Sequence, residues 1–204
     1  MTTTKTSKKW YSIVLNALLD IVIAVLFALI VLFVIVAPVK IEGASMENTI
    51  KDGQMVATLR FAPSTYEVGD IVTIKVGNKI IIKRIVALSG ETIAFVNDGE
   101  NGICLYKQTE NGVWAKEDES FIKENSVYKD ELFENITIYN SVSEIENGIT
   151  IEDGKFFALG DNRNVSLDSR HYGQFDLTDI ISKMIFNISE NGFMNFVFTI
   201  FPTF

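Results

Sequence analysis

The most prominent pattern along the chain is an uninterrupted apolar segment near the N-terminus. Residues 21–37 contain neither a charge nor a strongly polar side chain. As an α-helix rising about 1.5 Å per residue, the segment would be roughly 25 Å long, and the leucines just before it bring it close to the ~30 Å hydrocarbon core of a bilayer. We therefore predict one transmembrane anchor over residues 11–37, ended by Pro38, which cannot continue a helix.

The residues around this anchor predict its orientation. Lys5, Lys8 and Lys9 precede it, and no acidic residue lies among them. Because basic residues concentrate on the cytoplasmic side of membrane spans, residues 1–10 are expected to be a cytoplasmic tail and residues 38–204 an external domain. A cleavable signal peptide is the competing interpretation. It fits poorly, since the apolar run exceeds the usual length of about 7–15 residues and ends without a small-x-small cleavage site.

Beyond Pro38 the pattern changes to short runs of β-branched and apolar residues separated by turn signals, which is typical of strands. The runs cover residues 55–61, 70–76, 79–88, 91–96 and 156–162. Gly77-Asn78 predicts a two-residue hairpin turn. Residues 97–150 are polar and acidic, and we interpret them as an inserted, mostly β subregion. The aromatic segment 193–204 is too short to span a membrane and is expected to pack on the core or beside the membrane.

Composition argues against several classes of function. The formal net charge is −8, and an acidic domain repels nucleic acid. Cys104 is the only cysteine, so no intrachain disulfide can form. The sequence contains neither a Gly-rich phosphate loop nor a His, Cys or carboxylate motif of metal-ligand type. We therefore expect no nucleic-acid partner, no cofactor and no metal.

The candidate chemistry is that of a serine nucleophile. His171 is the only histidine, so a Ser-His-Asp triad would have to use it. Its position after Arg170 in a polar, turn-rich stretch favours a surface or structural role. A serine can instead be activated by a neutral lysine.

Lys83 is the lysine whose surroundings suit that role. Alternate residues of a strand share a face, so Lys83 lies beside Ile81 and Ile85, and apolar surroundings lower the pKa of an amine. An edge lysine with its amine in solvent is the alternative. Gly43-Ala44-Ser45-Met46 supplies a candidate serine among small residues shortly after the anchor.

Four segments together resemble the conserved boxes of the type I signal peptidases. Residues 160–170 match the G-D-N-R-x-x-S-x-D-S-R box of that family without a departure. Ser45-Met46 resembles its nucleophile box, residues 68–72 its G-D-I-V box and residues 82–91 its lysine box. The boxes occur in the family's order after an N-terminal anchor, so the chain is identified as resembling this family from about residue 10 to 175.

The resemblance implies a role for each matching residue. Ser45 would be the nucleophile, Lys83 the general base, and Ser166 a hydroxyl that hydrogen-bonds the lysine amine. The supporting residues would be an ion pair of Asp168 with Arg170, the turn-shaping Gly160 and Asp161, and the substrate-binding Gly43 and Met46. Two departures from the family are Gly43, which lacks the hydroxyl that some relatives carry there, and Asn48 in place of proline.

The resemblance also implies the fold, the reaction and the setting. The expected fold is a mainly β, coiled antiparallel-sheet catalytic domain on one N-terminal transmembrane helix. The expected reaction is removal of signal peptides with small residues at the minus-one and minus-three positions, at the outer face of a bacterial cytoplasmic membrane. The partners would be preproteins, membrane lipid and the export machinery. A self-cleaving repressor-type serine–lysine protease conflicts with the anchor and the acidic charge. A non-catalytic accessory protein on the same scaffold remains the alternative.

Overall fold

The structure is a computed structural model that describes residues 4–47, 49–60, 65–99, 102–120, 122, 128 and 130–189. The chain divides into two compact units, residues 1–37 and residues 38–204. Asn48 and the aromatic segment 193–204 lie outside the described residues, as do the side chains of Lys5, Lys8 and Lys9. The expectations for these positions therefore stay predictions.

The first unit consists of one long helix, α1 (Thr4–Ile35). Its segment Trp10–Val31 has a mean hydropathy of 2.8 and is long and apolar enough to cross a membrane. The helix was expected to continue to residue 37, but α1 ends at Ile35, and Pro38 lies in the strand β1 (Val36–Lys40). β1 is an edge strand, a position in which proline is tolerated.

Among its described residues, the second unit contains two β-sheets, the short helix α2 (Ser169–Tyr172) and three 3-10 helices, Asp130–Leu132, Val142–Glu144 and Leu177–Asp179. The seven strands of the larger sheet are β1, β2 (Met55–Leu59), β3 (Ile71–Val76), β4 (Lys79–Leu88), β10 (Lys155–Leu159), β11 (Phe175–Asp176) and β12 (Ile180–Asn187). The five strands of the smaller sheet are β5 (Thr92–Asn97), β6 (Ile103–Gln108), β7 (Trp114–Lys116), β8 (Ile138–Tyr139) and β9 (Ile149–Thr150).

The larger sheet has the strand order β1-β2-β12-β3-β4-β10-β11, and its ladders from β2 to β11 are antiparallel. In the smaller sheet β5 pairs antiparallel with β6 and β9, whereas its short pairing with β8 is parallel. The predicted mainly β, antiparallel architecture with one N-terminal helix is therefore confirmed. The Gly77-Asn78 hairpin is confirmed as well, since Val76 pairs with Lys79.

Two features of the packing position the functional residues. A buried apolar cluster under the segment after β1 contains Ile41, Met46, Ile50, Val56 and Ile82, and it fixes that segment against β2 and β4. A second cluster joins β4 and β10 to the smaller sheet through Val86, Phe157 and Phe95. The smaller sheet therefore packs directly behind the strand that carries Lys83.

Candidate active site

The structure brings Ser45 and Lys83 together, although 38 positions separate them. Ser45 lies in the turn that follows β1, and Lys83 lies in the middle of β4. Lys83 Nζ is 2.9 Å from Ser45 Oγ and also donates to the backbone oxygen of Ile82 at 2.8 Å. Lys83 is only 3% exposed. A hydroxyl and a buried amine at this distance form the geometry of a nucleophile with its base.

Burial is the main influence on the Lys83 amine. Desolvation lowers the pKa of Lys83 from 10.5 to about 8, with opposing upward effects from Asp168 and Asp161 and a further lowering from Arg170. At pH 7 a pKa near 8 leaves about one tenth of the amine neutral, against roughly three parts in ten thousand for an unperturbed lysine. Ile81 lines the cleft beside Lys83, whereas Ile85 packs in the core of the larger sheet.

Asn162 holds the turn that carries Ser45. Its backbone N–H donates to the carbonyl of Ser45 at 3.0 Å, and its side-chain Nδ2 donates to the carbonyl of Ala44 at 3.0 Å. Sequence reasoning gave Asn162 no separate role. Its only signal was its place within the 160–170 box, since no periodicity links it to residue 45.

Gly160 is required by a close approach of two backbone segments. A Cβ at this position would lie 2.2 Å from Ser166 Oγ and 2.5 Å from the carbonyl oxygen of Ser45. Both distances are far inside van der Waals contact. The absence of a side chain therefore lets the end of β10 pack against the Ser45 turn.

Ser166 does not make the hydrogen bond to Lys83 that the resemblance implied. Ser166 is 1% exposed, and within the described part of the chain its hydroxyl makes no close hydrogen bond, although it lies near enough to the Asp168 carboxylate to help lower the pKa of that group. No Ser166–Lys83 hydrogen bond is formed in this structure, where the amine donates to Ser45 Oγ and to the carbonyl of Ile82. The Ser166 hydroxyl lies instead against Gly160.

Asp168 and Arg170 form a fully buried, bidentate ion pair. Arg170 Nε and Nη2 donate to the two carboxylate oxygens at 2.9 Å each, and the N–H of Gly160 adds a third bond at 3.0 Å. Burial alone would raise the pKa of Asp168, but the hydrogen bonds and charge of Arg170 hold it below its ordinary value. The pair thus ties the start of α2 to the end of β10.

Asp161 forms an ion pair with Arg84. Arg84, the neighbour of Lys83 on β4, donates to both carboxylate oxygens of Asp161 at 2.9 and 2.6 Å. Arg84 Nη1 also donates to the carbonyl of Gly69 at 2.9 Å. The contacts of Arg84 therefore join three of the four segments that resemble family boxes, namely residues 68–72, 82–91 and 160–170. Sequence analysis missed Arg84 because its partners are 15 and 77 positions away.

The structure contradicts a direct substrate contact for Met46 and does not place Gly43 in the cleft. Met46 is 0% exposed, since its side chain belongs to the apolar cluster under the Ser45 turn. Gly43 has a φ of 94°, which suits glycine, and its N–H donates to Asp52 Oδ1 at 2.8 Å. Met46 therefore holds the Ser45 turn by packing in the apolar cluster, and Gly43 provides the positive φ that the turn needs.

His171 lies among groups other than the serine and the lysine. Its Nδ1 is 2.8 Å from Glu134 Oε1, and its ring packs edge-on against Tyr172. Its side chain is one-third exposed. These contacts agree with the structural or surface role that the sequence favoured.

An open cleft of about 320 Å³ runs beside the serine–lysine pair. Its wall on one side is the segment leading to Ser45, and on the other side it is the start and middle of β4. The lining residues are Val39, Lys40, Ile41, Glu42, Ser45, Thr73 and Ile80 through Lys83. Because Ser45 and Lys83 both line this cleft, a molecule bound in it would contact the serine–lysine pair.

The sequence is similar to known proteins over most of its length. The family described as "Signal peptidase, peptidase S26" matches residues 14–188. A signal peptidase IB of Staphylococcus aureus strain Mu50 is 33% identical over 180 residues, which cover 83% of this chain and 88% of that protein. A signal peptidase I of Streptococcus pneumoniae serotype 4 is 31% identical over 171 residues, which cover 74% of this chain and 80% of that protein.

A solved structure is also similar. The crystal structure of a signal peptidase I from Enterococcus faecalis V583 covers 61% of this chain and 100% of its own, with 25% identity and a TM-score of 0.40. Since that score is low, the family assignment comes from the sequence matches alone.

Proposed function

The chain belongs to the S26 signal peptidase family, whose members remove signal peptides, and we propose that Ser45 and Lys83 are the catalytic pair of this serine endopeptidase. The observation that carries the proposal is the 2.9 Å distance between Ser45 Oγ and the buried Lys83 Nζ. Membership of the family supports the reaction, and the short distance supports the assignment of these two residues to it.

The proposed reaction proceeds through an acyl-enzyme. Neutral Lys83 accepts the proton of Ser45 Oγ as that oxygen attacks the carbonyl carbon of the scissile peptide bond. The N–H of Ser45, which makes no hydrogen bond within the described residues, would donate to the oxyanion of the tetrahedral intermediate. The Lys83 ammonium then protonates the leaving amine of the mature protein. A water deprotonated by Lys83 hydrolyses the ester and releases the signal peptide.

Ser166 remains the proposed third partner of the lysine during this cycle. An ammonium has three N–H donors, and two of those on Lys83 have acceptors in Ser45 Oγ and the carbonyl of Ile82. The buried hydroxyl of Ser166 would accept the third when the amine becomes charged.

We propose that the cleft favours small residues at the minus-one and minus-three positions of the substrate. Alternate side chains of an extended peptide point to the same face, so both positions would face the wall formed by Val39, Ile81 and the neighbouring strand residues. The volume of about 320 Å³ is shared by both side chains and the peptide backbone. We propose that this limits both positions to alanine-sized residues.

The proposed setting is the outer face of a bacterial cytoplasmic membrane. Residues 1–10 would be cytoplasmic, residues 11–37 would include the membrane span, and residues 38–204 would face outward next to the lipid and the export machinery. The support is the apolar helix of residues 10–31 together with the lysines that precede it, since basic residues mark the cytoplasmic flank. The domain limits are proposed on the same grounds.

Cleavage of a defined preprotein tests the proposed function. The detergent-solubilised full chain is incubated with a preprotein bearing an Ala-x-Ala site, and the products are identified by mass. We expect cleavage after the second alanine by the parent protein and by the controls Ser143→Ala, Lys75→Ala and His171→Ala. Ser45→Ala and Lys83→Ala should each lose activity while remaining folded. An inactive parent protein would favour the non-catalytic accessory alternative.

A further inference from the structure

A buried cluster of charged and aromatic side chains joins the subregion of residues 97–150 to the 160–170 box. Its members are Glu119, Tyr128 and Phe133 from the subregion and Arg163 and Arg170 from the box, and we call these five residues the brace. Both arginines are 0% exposed and Tyr128 is 4% exposed. The Glu119 side chain is 11% exposed, so the contacts of the brace are largely shielded from water.

Glu119 is the centre of the brace. Its Oε1 lies 2.5 Å from Nη1 of Arg163, and the Tyr128 hydroxyl donates to both of its carboxylate oxygens at 2.9 Å. The Arg163 guanidinium packs over the Tyr128 ring at 4.8 Å from the centroid. Charge-assisted and cation–π contacts are strong where water is excluded. Two residues of the subregion therefore hold an arginine of the box.

Arg163 and Arg170 connect these contacts to the backbone beside the nucleophile. Arg163 Nε donates to the carbonyl of Gly160 at 2.9 Å, and Arg170 Nη1 donates to the carbonyl of Arg163 at 2.9 Å. Gly160 packs against the Ser45 carbonyl, to which the N–H of Asn162 also donates. The arginine held by Glu119 is thus adjacent in sequence to the residue that holds the Ser45 turn.

The charges of this region balance in pairs. Asp168 is paired bidentately with Arg170, and Glu119 is paired with Arg163. Neutralising Glu119 would leave the buried guanidinium of Arg163 without its carboxylate, and an uncompensated buried charge is strongly unfavourable. The guanidinium would then move toward water and draw the Gly160 carbonyl with it.

We propose that Glu119 and Tyr128 are positioning residues for the peptidase reaction, which hold Arg163 and, through it, the backbone of residues 160–162 against the Ser45 turn. This rests on the proposed function, because it takes Ser45 and Lys83 as the catalytic pair. It also gives the subregion of residues 97–150 a role in catalysis, although none of the proposed catalytic residues lies within it.

Steady-state kinetics of Glu119→Gln and Tyr128→Phe in the full-length, solubilised protein test the proposal. We expect kcat to fall about tenfold in Glu119→Gln and about threefold in Tyr128→Phe, because small displacements of reacting groups reduce rates steeply. KM should change less than about twofold, since the cleft residues are not altered. The pH at which kcat/KM reaches half its plateau should stay the same, because the burial of Lys83 is unchanged.

Two controls separate positioning from general destabilisation. Asp118→Asn removes an exposed acid one position away, and asparagine keeps the bond that Asp118 Oδ1 accepts from the N–H of Ser120. The kcat and KM of this variant should equal those of the parent protein. Thermal unfolding of each variant sets an assay temperature at which all are folded. In a double-mutant cycle with Arg163→Gln, the double variant should lose no more activity than the more severe single variant, since both act through one contact.

Each outcome is decisive. A lower Tm with parent kcat in Glu119→Gln, or a change confined to KM, would show a merely structural role and overturn the proposal. If Glu119→Gln does not fold, Tyr128→Phe decides, because it removes a single hydroxyl; parent kcat in that variant would overturn the proposal. Ser45→Ala in the same assay distinguishes failure of the proposed catalytic pair from failure of the proposal about the brace. Activity of Ser45→Ala refutes the catalytic pair, whereas an inactive Ser45→Ala with parent-like brace variants refutes the brace alone.

Discussion

The depressed pKa of Lys83 makes a quantitative prediction for both activity and stability. Desolvation lowers this pKa from 10.5 to about 8. The difference of about 2.5 units corresponds to about 3 kcal/mol of unfavourable free energy for the buried ammonium relative to the unfolded chain.

For activity, the base must be unprotonated, so kcat/KM should rise with pH through the Lys83 pKa of the free enzyme. With a pKa near 8 the rate at pH 6 should be about 1% of the plateau, and it should increase about tenfold per pH unit below the midpoint. The assay is cleavage of an internally quenched Ala-x-Ala peptide that has no group titrating between pH 5.5 and 10. His171→Ala should leave the midpoint in place.

For stability, the sign follows from proton binding. Between pH 8 and 10.5 the unfolded chain binds the lysine proton more tightly than the folded chain, so the folded state gains stability as the pH rises through this window. Lys83→Met has no such group. Its free energy of unfolding relative to the parent should therefore fall by up to about 3 kcal/mol from pH 7 to 10.5. A difference in free energy of unfolding between Lys83→Met and the parent that stays constant over this window, with a midpoint of kcat/KM near pH 10, would refute the argument that burial lowers the Lys83 pKa.

Three further predictions concern the active site and the membrane orientation. Gly160→Ala should lower kcat by about 100-fold, since the new Cβ overlaps the Ser45 carbonyl and displaces the nucleophile; parent-like kcat would contradict this packing. Ser166→Ala should lower kcat, because it removes the hydroxyl proposed to accept a hydrogen bond from the Lys83 ammonium, and unchanged kcat would remove Ser166 from the proposed cycle. Protease added to intact protoplasts should degrade the second unit and spare an N-terminal tag, whereas protection of that unit would reverse the proposed orientation.

The elements that the sequence predicted best are those specified by local signals. β4 covers residues 79–88 as predicted, because its β-branched run begins directly after the Gly77-Asn78 turn. The end of α1 was misplaced because apolar residues 36 and 37 suit either a helix or a strand. No local signal in the sequence distinguishes the two at these positions.

The site shows the same division between local and long-range information. The resemblance identified Ser45 and Lys83, but it could not show that Met46 packs in the core or that Arg84 pairs with Asp161. The contact of Glu119 with Arg163 joins residues 44 positions apart, one in the loop after β7 and the other in the turn after β10. Such contacts depend on the packing of the two sheets, which a single sequence does not specify.

The most direct test of the central claim is identification of the residue that carries the acyl group. The solubilised protein is mixed with a peptide ester of an Ala-x-Ala sequence, quenched in acid within the first turnover, and mapped by mass spectrometry after digestion. We expect the acyl mass on the peptide that contains Ser45 and none on the corresponding peptide of Ser45→Ala. Turnover with the acyl group on another residue, or full activity of Ser45→Ala, would contradict it.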